Sequence, residues 1–213
     1  MPIKVCGLTR AEDVQTCLQL EVDFVGFIFH EPSPRHVEPE QAQSFPRGQT
    51  FRVGVFVRQP PELVLEIMQQ AELDLAQLHG EYSIQDCARI GPGRIIKTLW
   101  PERFPGPEKF EQEIERFSDS CSYFLLDPGK SGGGHGRGLQ LPWPQLPKPS
   151  RPWFLAGGLG PGSLPKALQD FQPWAVDLNS GVESNPGCKD RAKLEKCLRI
   201  WQSSQNIQGD QNA

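Results

Sequence analysis

Two residues of this chain stand where a short apolar run stops, and both can move a proton. Cys6 follows Ile3-Lys4-Val5 and precedes Gly7-Leu8-Thr9. Asp127 follows Tyr123-Phe124-Leu125-Leu126 and precedes Pro128-Gly129. A thiol, with a reference pKa of about 8.5, is a base once ionised, and a carboxyl is an acid only while protonated. Cysteine also serves as nucleophile, metal ligand, half of a disulfide or small buried hydrophobe, and a lone one is commonly the last of these. An aspartate before Pro-Gly equally suits a turn. Taken singly, neither residue decides between these readings.

Other residues could bind rather than react. Arg35, in Ser33-Pro34-Arg35, is either an anion partner or a solvated charge. His79 stands before Gly80, and Asp177 lies near the end of Trp174-Ala175-Val176-Asp177-Leu178. Three glycine-rich stretches follow apolar runs: residues 132–138 with Gly134 and Gly136, Gly157-Gly158-Leu159-Gly160, and Asn179-Ser180-Gly181. Each is an ordinary turn or a place where backbone N–H groups approach an anion closely. His30 and His36 read as surface loop residues, and His135 as an anion contact or an exposed side chain.

The elements that must position these residues follow from the rhythm of the chain. Short β-leaning runs begin at Ile3, Phe24, Phe51, Leu73, Arg94, Tyr123, Trp153 and Trp174, about 20 to 30 residues apart, the span of a strand, a loop and a helix. The gaps mostly carry helix signals. Thr9 and Glu12 have capping-box spacing ahead of Val14 and Leu18. Pro61 opens one helix, and Ser83 and Gly91 bracket another. Residues 108–117, 163–171 and 190–202 are the remaining helical stretches, while 128–150 is too rich in Gly and Pro for much helix.

This alternation predicts a single (β/α)8 (TIM) barrel over residues 1–202, with 203–213 as a flexible C-terminal tail. An open doubly wound sheet is the alternative, but Cys-Gly-Leu-Thr after the first strand is not its G-x-G-x-x-G fingerprint. In a barrel, Cys6, Arg35, His79, Asp127, Gly157-Gly158, Asp177 and Ser180-Gly181 gather at the C-terminal mouth, where such folds carry their chemistry. The loops after the seventh and eighth strands are then in the usual place for a phosphate.

Composition narrows the function classes. A net charge of -4 argues against nucleic-acid or anionic-membrane partners. No apolar run approaches the roughly 20 residues of a membrane span, and Lys4 and Arg10 interrupt the only early one, so no secretory signal is expected and the cytoplasm is the default location. Six cysteines without a C-x-x-C spacing argue for reduced thiols over disulfides or zinc.

Together these residues resemble the phosphoribosylanthranilate isomerase family. The match runs in order through Lys4-Val5-Cys6-Gly7-Leu8-Thr9, Asp23 to Phe29 with Ser33-Pro34-Arg35, Val53 to Phe56, Gln77 to Gly80, Leu125-Leu126-Asp127, Leu155 to Leu159, Val176 to Glu183, and Gly187 to Asp190. The resemblance implies a (β/α)8 barrel without cofactor or metal, monomeric or homodimeric. It implies the Amadori rearrangement of N-(5-phosphoribosyl)anthranilate to 1-(2-carboxyphenylamino)-1-deoxyribulose 5-phosphate in tryptophan biosynthesis. It places the general base on Cys6, the general acid on Asp127 and the anthranilate carboxylate on Arg35. It places the phosphate on Gly134, Gly136, Gly157, Gly158, Ser180 and Gly181, with His79 and Asp177 lining the substrate. Asp127 would have to be protonated, which a partly dehydrated site favours. The charged neighbour that would help Cys6 ionise is not identifiable from the sequence. Two segments depart from the family pattern. His135 and Leu139-Gln140-Leu141 stand where a hydroxyl residue and an acidic-aromatic string are usual, and Asn179 stands in place of a serine. Another sugar-phosphate isomerase or epimerase barrel, or a silent phosphate-binding barrel, are the competing readings.

Overall fold

The computed structural model describes residues 2–127 and 146–209. Eight strands close into a barrel in chain order. They are β1 (Ile3–Val5), β2 (Phe24–Ile28), β3 (Phe51–Phe56), β4 (Leu75–Leu78), β5 (Ile95–Leu99), β6 (Tyr123–Leu126), β7 (Trp153–Leu155) and β8 (Ala175–Leu178). Each pairs in parallel with the next, and β1 closes the ring on β8 with Ile3 opposite Val176, Lys4 opposite Asp177 and Val5 opposite Leu178. Parallel neighbours need a crossover, and helices supply it. They are α1 (Ala11–Gln19), α2 (Pro39–Ser44), α3 (Pro61–Gln70), α4 (Ile84–Ile90), α5 (Pro107–Phe117), α6 (Leu164–Phe171) and α7 (Arg191–Gly209). A short antiparallel hairpin, β9 (Glu183–Asn185) and β10 (Cys188–Lys189), follows β8.

Successive strand residues point to opposite faces, so one strand feeds two cores. Inside the barrel lie Phe24, Val53, Leu75, Ile96, Leu125, Phe154, Ala156 and Ala175. The larger core, between strands and helices, takes the alternate positions such as Val5, Val25, Phe27, Leu78 and Phe124, with Val14, Val64, Phe110 and Leu194 from the helices. Burying a Val, Leu, Ile or Phe contributes about 1.5–3 kcal/mol each, so these two layers dominate what holds the barrel closed. All six cysteines are unpaired, and five of them are buried. Among the described residues no helix is long and apolar enough to cross a membrane.

Some local expectations change. Thr9 does not cap α1; its hydroxyl donates to the carbonyl of Gly187 at 2.8 Å. Arg10 takes the N-cap position without a capping side chain and instead holds Asp13 at 2.7 and 2.8 Å. The helix expected to end at residue 202 continues to Gly209. Nothing between Gln202 and Gly209 breaks a helix, and the Ser203 and Ser204 hydroxyls bond back to the carbonyls of Arg199 and Trp201. Residues 210–213 and 128–145 lie outside the described residues. The short helix α2 had no sequence signal, because it buries only Ala42.

Candidate active site

Cys6 lies just past the C-terminal end of β1, where its N–H donates to the carbonyl of Leu178 at 2.8 Å. It is 3% exposed. Two glycines make its surroundings possible. A Cβ on Gly26 of β2 would sit 2.8 Å from Sγ of Cys6, so the thiol occupies the space a side chain would fill. Gly7 has φ +71°, and a Cβ there would meet Arg35 at 2.7 Å and Asn179 at 2.8 Å.

Asp127, 5% exposed, ends β6 with its N–H on the carbonyl of Leu99 at 3.1 Å. Cys6 and Asp127 line one cavity of about 330 Å³ at the C-terminal mouth, together with Arg35, His79, Gly157, Gly158, Asp177 and Ser180. That volume suits a small-molecule site. The structure therefore brings together most of the residues singled out from the sequence. Gly181 is not on the cavity wall. Its backbone is pressed against the loop after β7, where an added Cβ would lie 2.1 Å from the Leu159 carbonyl. Gly157 and Gly158 have φ of +104° and +67°, a region costly for other residues. Gly134, Gly136, His135 and Leu139-Gln140-Leu141 lie outside the described residues.

Several lining residues carried no sequence signal. His30, read as a surface residue, faces the cavity. Gln77 on β4 and Trp100 and Arg103 after β5 complete the wall. Arg103 stacks 3.8 Å over the Trp100 ring, and His79 meets that ring edge-on at 5.1 Å. Burial, with help from Lys4 and Arg103, lowers the His79 pKa to about 4.

Arg35 is fixed in place. Its Nε and Nη2 donate to Glu183 at 2.9 and 2.6 Å. Glu183 also accepts from Lys189 Nζ at 2.7 Å and from the Gly187 N–H at 3.2 Å. Burial works against the Glu183 charge, yet Arg35 and Lys189 outweigh it and hold the carboxylate below its ordinary range. Glu183, itself held by Lys189 and the Gly187 N–H, thus orients the guanidinium on the hairpin side.

Beneath Cys6, on the same face of β1, Lys4 is fully buried. Its Nζ donates to Asp177 Oδ2 at 2.9 Å. The second oxygen, Asp177 Oδ1, is buried and has no hydrogen-bond partner among the described residues. Burial pushes the Cys6 thiol up, Lys4 pulls it down, and the Asp177 charge adds to the rise; the net direction is upward. Burial likewise opposes the Lys4 charge, but Asp177 and Cys6 overcome it and keep the amine protonated. The sequence hid this cation because its partner is 173 residues away.

Comparisons with known proteins agree with this geometry. The model of the N-(5'phosphoribosyl)anthranilate (PRA) isomerase family matches residues 3–199. The N-(5'-phosphoribosyl)anthranilate isomerase of Maridesulfovibrio salexigens is 47% identical over 192 residues, covering 90% of this chain and 94% of that one. The crystal structure of phosphoribosyl anthranilate isomerase from Thermus thermophilus superposes with a TM-score of 0.80 at 34% identity, covering 95% of this chain and 99% of that one. A phosphoribosyl anthranilate isomerase in complex with reduced 1-(o-carboxyphenylamino)-1-deoxyribulose 5-phosphate superposes with a TM-score of 0.76 at 30% identity, covering 95% and 99%. The chain belongs to the N-(5'-phosphoribosyl)anthranilate isomerase family.

Proposed function

We infer that the mouth of this barrel carries out the isomerisation of N-(5-phosphoribosyl)anthranilate, with Asp127 as general acid and Cys6 as general base. The observation that carries the assignment is that both residues, each nearly buried, line one cavity with Arg35 at its rim. Asp127 delivers a proton to the furanose ring oxygen, and the ring opens to a Schiff base. The iminium acidifies the C2–H bond. The Cys6 thiolate takes that proton, giving an enolamine that tautomerises to the ketone. Acid and base act in sequence on one sugar, so the sugar must be held still between them.

Two anchors fit that need. Arg35, already oriented by Glu183, takes the anthranilate carboxylate on its remaining edge; a planar guanidinium is suited to that group. Gly157, Gly158 and Ser180, backed by Gly181, supply the phosphate end. Asp177 Oδ1, buried and without a hydrogen-bond partner among the described residues, accepts a substrate hydroxyl, and His79 lines the wall as a neutral imidazole.

The test generates the labile substrate in situ and follows loss of anthranilate fluorescence. Cys6→Ala and Asp127→Ala should each lose on the order of 10²–10⁴ in kcat with the fold intact. Arg35→Ala should raise KM about 10- to 100-fold, as expected for losing a charge-assisted hydrogen bond. Near-full turnover by either of the first two variants removes that residue from proton transfer, and an unchanged KM removes Arg35 from the carboxylate.

A further inference from the structure

Lys4 and Asp177 occupy an interior that has no structural call for charge. The interior residues below the cavity are apolar, and one of them, Phe24, stands opposite Lys4 in register across β1 and β2. A buried ion pair in such a setting is commonly replaceable by apolar residues without loss of stability, so its presence asks for another explanation. The pair is built into the barrel's closure: Lys4 and Asp177 face each other in register across β1 and β8. Two residues further along β1, on the same face, stands Cys6.

We propose that Lys4, anchored by Asp177, is the positioning residue that makes Cys6 a usable base, by stabilising its thiolate from beneath. This deepens the isomerase assignment and rests on it. Asp177 keeps the ammonium charged and aimed while Cys6 is a thiol. When Cys6 ionises, the same ammonium has a second anion to satisfy. The other charged groups around the thiol are already committed elsewhere or act weakly. Lys189 of β10 is held by Glu183 at 2.7 Å and by Asn179 Oδ1 at 3.0 Å. Arg35, from the loop after β2, is held by Glu183. Asp177 of β8 opposes the thiolate by charge, but less strongly than Lys4 favours it. Across the cavity, Asp127 of β6 acts as the acid, and His79 and His30, after β4 and β2, share the wall.

The test uses the full chain with Lys4→Met, and with the double variant Lys4→Met/Asp177→Asn in case a lone buried carboxylate prevents folding. Two readouts are followed from pH 5 to 10: the acidic limb of kcat/KM, and the rate at which iodoacetamide alkylates Cys6, read by mass spectrometry of the peptide that carries it. In Lys4→Met both profiles should move up by about one pH unit or more, as expected on losing an adjacent opposite charge, and in the double variant the alkylation profile should move up by a smaller amount, because the opposing Asp177 charge is lost too. At neutral pH, turnover by Lys4→Met should then fall about tenfold or more while KM stays near its starting value; the double variant, which also alters the substrate-lining Asp177, is judged by its alkylation profile alone. Profiles that coincide with the parent protein's overturn the proposal. Cys6→Ser separates this from the assignment beneath it. Full turnover by Cys6→Ser would sink the base role of Cys6, and the alkylation profile would still decide whether Lys4 controls the thiol. An inactive Cys6→Ser with unmoved Lys4→Met profiles sinks only the role of Lys4.

Discussion

At Gly26 a single methyl group would lie 2.8 Å from the Cys6 sulfur and 3.1 Å from its Cα. Real side chains do not tolerate that spacing, so Gly26→Ala must push the thiol towards the cavity or spread β1 from β2. Overpacking of this kind costs about 1–3 kcal/mol. Gly26→Ala should therefore lose at least about tenfold in kcat as well as stability, because a base displaced by a fraction of an ångström no longer lies in line with the C–H bond. Wild-type kcat in a Gly26→Ala enzyme would show that the sulfur is free to relocate. The residues proposed to meet the substrate were the most legible in the sequence. Cys6 and Asp127 stand at strand ends, where polar residues interrupt apolar runs, and Arg35 sits in a short motif. The residues that control them were not. Lys4 read as an interruption of an apolar run, and Trp100 and Arg103 were not singled out. Their roles come from partners brought near by closure of the barrel, which no local pattern encodes.

Among the elements, α4 is the one whose local sequence and structure agree most fully. Ser83 accepts from the Asp86 N–H at 3.1 Å, Asp86 Oδ2 accepts from the Ser83 N–H at 2.9 Å, and Gly91 ends the helix at φ +104°. Ser83→Ala should cost about 1 kcal/mol, seen as a lower midpoint in urea unfolding with an unchanged slope. An unaltered midpoint would mean that packing against α3 alone defines the start of this helix. The same type of signal misled at Thr9, whose hydroxyl is used across the fold by Gly187 and not by its own helix. Capping patterns are local bids for a hydroxyl, and a tertiary acceptor can outbid them. Arg52 shows the reverse case: a charge inside a strand pattern, 2% exposed, which reaches the carbonyls of Ala42 and Ala71 at the C-terminal ends of α2 and α3. There its positive charge meets the partial negative charge of two helix C-termini, adding a donor to the Ala42 carbonyl that already takes the Phe45 N–H at 3.2 Å.

For the whole molecule, the alternation of eight apolar runs with helical gaps was enough to read the barrel, because each strand must be covered by its crossover. The same closure carries a pH liability. His79 is kept neutral by burial and by nearby cations, with a pKa of about 4 against about 6.5 in the unfolded chain. The unfolded state therefore binds a proton that the folded state refuses, so stability declines as pH falls from about 6.5 towards 4, by at most about 3 kcal/mol from this group. The difference in unfolding free energy between the parent protein and His79→Gln should shrink across that window. Parallel pH curves would mean that His79 takes up its proton freely in the native barrel.

The seam between β1 and β8 sets a timetable for biogenesis. Lys4 meets Asp177, Thr9 meets Gly187, and Asp13 meets Lys189, pairs separated by 173, 178 and 176 residues. Translation delivers Cys6 long before the groups that tune and position its neighbourhood. Until β8 docks on β1, Lys4 lacks the Asp177 carboxylate that anchors it, so the arrangement proposed for Cys6 forms only with closure of the ring.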